Sequence, residues 1–133
     1  MKIAVIGAGA MGSLFASYLS KNNEVFLIDH SLEKIDKINK YGIEVVENDN
    51  SSHFYKVASY MYNENLPVAD MIFLFVKSIK NLEVLENISH IISDKTILVS
   101  LQNGYGNDKD LEKFQDKKNL VIGSTTHGST LLS

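Results

Sequence analysis

The chain has 133 residues, 44% of them hydrophobic and 22% charged, a composition suited to one soluble globular domain. A net charge of −3 with the 13 Lys and Arg scattered along the chain excludes the basic field of a nucleic-acid binder, so nucleic acid is not an expected partner. No cysteine is present, which excludes disulfides and thiolate metal sites; His30, His53, His90 and His127 show no metal-ligand spacing with acids, so no metal is expected.

The apolar run Ile3–Ile6 leads directly into Gly7, Ala8, Gly9, Ala10, Met11 and Gly12. A β-branched strand followed by G-x-G-x-x-G predicts the first βαβ arm of a dinucleotide-binding domain. Gly7 allows the sharp turn, Gly9 allows a pyrophosphate to approach the backbone, and Gly12 allows the helix to pack closely on the strand. That helix carries a predicted apolar stripe of Leu14, Phe15, Tyr18 and Leu19. The initial run is too short for a signal peptide or a membrane span, so no membrane contact and a cytoplasmic location are expected.

A second strand, Glu24 to Ile28, ends in Asp29, 17 residues after Gly12 and near the ~20 expected of the acid that holds an adenosine ribose. Its charge would repel a 2′-phosphate and favour NAD over NADP; Ser31 and Lys34 could receive that phosphate if Asp29 turned away. Asp29 also reads as a plain helix-start acid. Ser31 to Tyr41 predicts a helix with Leu32, Ile35 and Ile38 inward, Ser31 as N-cap and Gly42 as an αL cap. Ile43 to Val46 predicts a short strand, and His53 to Tyr62 an additional strand or hairpin.

Met71 to Val76 is an unbroken apolar run, predicting a strand buried on both faces and ending beside Lys77. A helix is expected over Ile79 to Ile92, with Ile79, Leu82, Leu85, Ile88 and Ile92 inward. Thr96 to Leu101 predicts the next strand, Gln102 to Gly106 its loop, Asn107 the cap of a short helix, and Leu120 to Gly123 a last strand. The alternation predicts an α/β, doubly wound, mainly parallel sheet of the Rossmann type, with helices on both faces and its ligand beyond the carboxyl ends of the strands. Lys77 reads as a cation facing the cofactor or as a solvated strand-end lysine, and Asn103 as a ribose or substrate ligand or as an Asn-Gly turn.

The segments GAGAMGS, FVKS, LQNGYG and GSTTHG, in this order and spacing, resemble the ketopantoate reductases (2-dehydropantoate 2-reductases). The resemblance implies NAD(P)H-dependent reduction of 2-dehydropantoate, a small 2-oxo acid, to pantoate on the way to coenzyme A. It implies that residues 7–12 bind the pyrophosphate, Lys77 contacts the adenosine end, Asn103 holds the nicotinamide ribose beside the substrate, and Ser129 lies against the nicotinamide. His127 receives no role. Asp29 departs from the family's usual basic residue near that point, so NADP(H) and NAD(H) both stay open. The resemblance also implies that the catalytic lysine, most substrate contacts and a homodimer interface lie in a helical second domain missing from this chain, which alone should bind dinucleotide with little or no reductase activity. Two other readings remain: a reductase of a different oxo acid or polyol phosphate, which Gln102–Gly106 argue against, and a dinucleotide-binding module without chemistry.

Overall fold

In a computed structural model, which describes residues 1–75, 81–100 and 107–122, the β-branched run becomes strand β1, Lys2–Ile6, with Ile3 through Ile6 all buried. It is flanked on both sides, by β2, Glu24–Asp29, and by β6, Met71–Leu74, both parallel to it. With β5, Ala58–Met61, β7, Ile97–Ser100, and β8, Leu120–Ile122, these build a six-stranded parallel sheet in the order β5-β2-β1-β6-β7-β8. The strand order reverses at β1, which opens a crevice beyond the carboxyl ends of β1 and β6. This is the predicted doubly wound, Rossmann-type architecture.

One face of the sheet is covered by α3, Asn81–Ile88, a 3-10 turn over Ser89–Ile91, and α4, Asn107–Glu112. Val84, Leu85, Ile88, Ile91 and Leu111 pack there on Ala4, Ile6, Ile28, Ile72, Leu74 and Leu98. The inward stripe thus includes Val84 of α3 and Ile91 of the 3-10 turn, which the expected spacing omitted, while Leu82 and Ile92 are only half-buried. Ile79 lies outside the described residues.

The other face carries α1, Ala10–Leu19, and α2, Leu32–Tyr41. Small residues form the contact face of α1: Gly12, Ala16 and Ser17 are buried. Of the stripe expected there, Leu14, Phe15 and Leu19 are half-buried and Tyr18 is exposed, its hydroxyl donating to the Glu47 carboxylate at 3.1 Å. The reason is proximity, since a Cβ at position 12 would overlap the Gly7 carbonyl oxygen, so only small side chains fit between helix and sheet. In α2, Ile35 is buried and Leu32 is exposed; the Ser31 hydroxyl accepts from the Lys34 N–H at 3.4 Å, as an N-cap should. Gly42 has φ 78° but ψ −167°, so it is not the αL cap expected: the chain passes straight into an extended strand, β3, Ile43–Val46.

The segment predicted as one strand or hairpin divides at Lys56 and Val57. Its first part, β4, Ser52–Tyr55, pairs antiparallel with β3, Ile43–Val46, in a separate two-stranded sheet. Its second part is β5, the outer strand of the main sheet. Ile43 and Val45 turn their apolar side chains onto the α1 face, and Glu44 and Val46 point out, the alternation of a half-buried strand.

Candidate dinucleotide site

Because the main sheet is parallel, Ile6, Asp29, Met61, Leu74, Ser100 and Ile122 end their strands along one edge. The glycine loop leaves that edge from its middle. Gly7 adopts φ 107°, a backbone open to glycine, and its N–H donates to the Ile28 carbonyl at 2.8 Å. Ala8 is buried, while Gly9 and Ala10 face solvent. Gly9 is the N-cap of α1, and the first intrahelical donor is Ser13, bonding back to the Gly9 carbonyl at 2.9 Å. The N–H groups of Ala10, Met11 and Gly12 therefore point out of the helix without intrahelical partners, at the positive end of its dipole. Among the described residues, no neighbouring heavy atom lies within 4 Å of where a Cβ on Gly9 would stand, so there the loop presents bare backbone to the crevice. Together these features make an anion seat.

Asp29 sits one strand away, with only 3% of its surface exposed. Its Oδ2 accepts from the Ala8 N–H at 2.6 Å and its Oδ1 from the Ser31 N–H at 2.9 Å. Burial opposes ionisation of this carboxyl, but the N–H groups of Ala8, Ser31 and His30, with the His30 ring beside it, outweigh that cost and hold it below the usual carboxylate range. The His30 imidazole is largely exposed, brings Nδ1 within 3.3 Å of Oδ1, and stacks on Tyr62 with ring centroids 6.3 Å apart. Sequence reasoning placed the loop Asp29–Ser31 at this edge but gave His30 no role there and did not bring in Tyr62; residues that follow two strands pairing at Asp29 and Met61 become neighbours only once that pairing is known.

The structure thus brings Gly7, Ala8, Gly9, Ala10, Met11, Gly12 and Asp29 together. Lys77, Asn103 and Ser129, and with them the loops 77–80, 102–106 and 125–129, lie outside the described residues; β6, β7 and β8, which precede them, end at the same edge. Among the described residues, the buried Ser100 hydroxyl at the end of β7 has no hydrogen-bond partner, and no helix is long and apolar enough to cross a membrane.

The family model for ketopantoate reductase PanE/ApbA matches residues 3–133. The chain belongs to the ketopantoate reductase family. The similarity extends to individual members of that family. The 2-dehydropantoate 2-reductase of Lactococcus lactis is 34% identical over 128 residues, covering 94% of this chain and 41% of the relative. Among solved structures, an Enterococcus faecalis protein provisionally assigned as a 2-dehydropantoate 2-reductase is 32% identical with a TM-score of 0.88, covering 95% of this chain and 41% of that one. A D-mandelate dehydrogenase solved with NADH and anilino(oxo)acetate is 35% identical with a TM-score of 0.86, covering 93% of this chain and 40% of that one. The chain therefore spans about two fifths of the length of the ketopantoate reductases it matches.

Proposed function

We propose that this chain supplies the nicotinamide-dinucleotide half of a reductase that takes 2-dehydropantoate to pantoate in the cytoplasm, with NADH preferred over NADPH. The observation that carries this reading is the pairing of an open anion seat at the start of α1 with a buried, ionised Asp29 one strand away. The seat fits a pyrophosphate, through the N–H groups of Ala10, Met11 and Gly12. Asp29 keeps acceptor capacity beyond its protein bonds, since a carboxylate has about four lone-pair positions, and can take ribose hydroxyls while opposing a 2′-phosphate. The family resemblance supports Lys77 at the adenosine end, Asn103 at the nicotinamide ribose and substrate, and Ser129 beside the nicotinamide. A bound reduced nicotinamide supplies the hydride for the keto carbon. Protonation of the resulting alkoxide falls to a lysine in the family's second, helical domain, which is also where a homodimer interface would form. This chain alone then binds cofactor without turning over substrate.

The likeness to D-mandelate dehydrogenase, at 35% identity against 34% for the Lactococcus lactis reductase, favours a second reading in which the complete enzyme reduces a different 2-oxo acid. Calorimetric titration of the chain with NADH and NADPH in parallel tests the shared core of both readings. NADH should bind at least about tenfold more tightly, a difference of about 1.4 kcal/mol. Absence of binding by either dinucleotide at millimolar concentration overturns both readings.

A further inference from the structure

The carboxylate of Asp29 faces two ways. Its Oδ2 grips the Ala8 N–H at 2.6 Å, inside the glycine loop, and its Oδ1 takes the Ser31 N–H at 2.9 Å, at the start of α2. Ala8 is held on its other side as well, its carbonyl accepting from the Ser13 hydroxyl at 3.3 Å, and Gly7 is tied to the Ile28 carbonyl at 2.8 Å. A contact with ribose alone would call for neither the burial of Asp29 nor its bond into the loop. A negative charge beside a pyrophosphate seat also repels the ligand through space. The bond to Ala8 offsets that repulsion by ordering the loop. Ala8 turns its donor inward to the carboxylate, leaving the donors of Ala10, Met11 and Gly12 in a fixed array facing outward. Anion recognition by backbone N–H groups depends on such prior ordering, because a loop that must be ordered on binding loses affinity.

From this geometry we infer that Asp29 is a positioning residue for the phosphate seat: its carboxylate, through the Ala8 N–H, sets the glycine loop for pyrophosphate independently of any contact with the ribose. The inference rests on the dinucleotide reading above and adds a second role to the same side chain. One consequence is that removing the charge does not simply exchange NADH for NADPH, because both need the same seat.

The test compares ADP with 2′,3′-dideoxy-ADP, which keeps the pyrophosphate and lacks both ribose hydroxyls. Asp29→Asn preserves shape but turns an amide donor toward one of the two N–H groups. Loss of a hydrogen bond to a charged group should weaken the dideoxy nucleotide by about tenfold, with ADP weakened by at least as much. In ¹H–¹⁵N spectra of the variant the Ala8 and Ser31 amides should move while those of Ile72 and Leu98, deep in the sheet, stay in place. Unchanged or tighter binding of the dideoxy nucleotide by Asp29→Asn, with ADP alone weakened, overturns the positioning role and leaves the dinucleotide reading intact. Failure of the wild type to bind ADP at all overturns both. Should the variant not fold, the wild type decides: the Ala8 amide should exchange with solvent about a hundredfold more slowly than that of Gly9, and equal rates overturn the inference.

Discussion

Among the described residues, a Cβ added at Gly9 meets no neighbouring heavy atom within 4 Å, whereas one at Gly12 collides with the Gly7 carbonyl oxygen. Two glycines of one motif thus serve different ends, and substitution separates them. Gly12→Ala should lower stability by about 3 kcal/mol in urea unfolding, since the clash is with backbone that cannot swing away. Gly9→Ala should stay within about 0.5 kcal/mol of wild type in the same assay yet lose dinucleotide affinity by calorimetry, because its methyl occupies the crevice. At the same edge, burial, and then the charges of Asp29 and Glu83, push the Tyr62 phenol up to about 12 from its usual 10.0. Between those values the unfolded chain releases a proton that the folded chain retains, so stability should fall as pH rises from 10 toward about 12. Tyr62→Phe should soften that fall, read as the urea midpoint against pH. That the glycines and Asp29 come together was legible in the sequence because their placement is local, set by a turn and by a fixed distance along one βαβ unit. The Ala8 bond to Asp29 was not legible, because the 17 residues from Gly12 to Asp29 say nothing of which way a carboxylate turns.

At the scale of elements, hydrophobic periodicity found the strands and helices but not their partners. The run His53–Tyr62 carries β-branched and aromatic residues throughout, and no local signal shows that its first half pairs with β3 while its second half joins β2 in another sheet. The face of α1 was misread for a related reason: periodicity rewards large apolar residues, while close packing on a sheet selects Gly12 and Ala16. A further device was invisible in sequence. The outer edge of β5 is closed by Asn39 of α2, whose side-chain amide donates to the Ser59 carbonyl at 3.0 Å and accepts from the Ser59 N–H at 2.8 Å, in place of a seventh strand. Open edges invite pairing between molecules. Asn39→Ala should cost roughly 1–2 kcal/mol in urea unfolding and increase light scattering on incubation at concentrations where the wild type stays clear.

Across the whole molecule, two apolar clusters lie on opposite faces of a single sheet, and the strands that divide them belong to both: Ile3 and Val5 face one side, Ala4 and Ile6 the other. Loss of either layer therefore exposes the same strands. Leu85→Ala, on the α3 face, should lower stability by about 2–5 kcal/mol and still unfold in one urea transition, coincident by circular dichroism and by tyrosine fluorescence, the chain having no tryptophan. The position of β1 at the centre of the sheet has a bearing on how the protein is made. Ile3 is followed by its partner Val25 after a short stretch of chain, but its other neighbour, Met71, follows much later. At translation speeds of roughly 5–20 residues per second, synthesis from Val25 to Met71 takes several seconds, during which one side of this buried strand has no partner. The interval between synthesis of β2 and of β6 is therefore the one in which this edge of β1 is open to pairing with other chains.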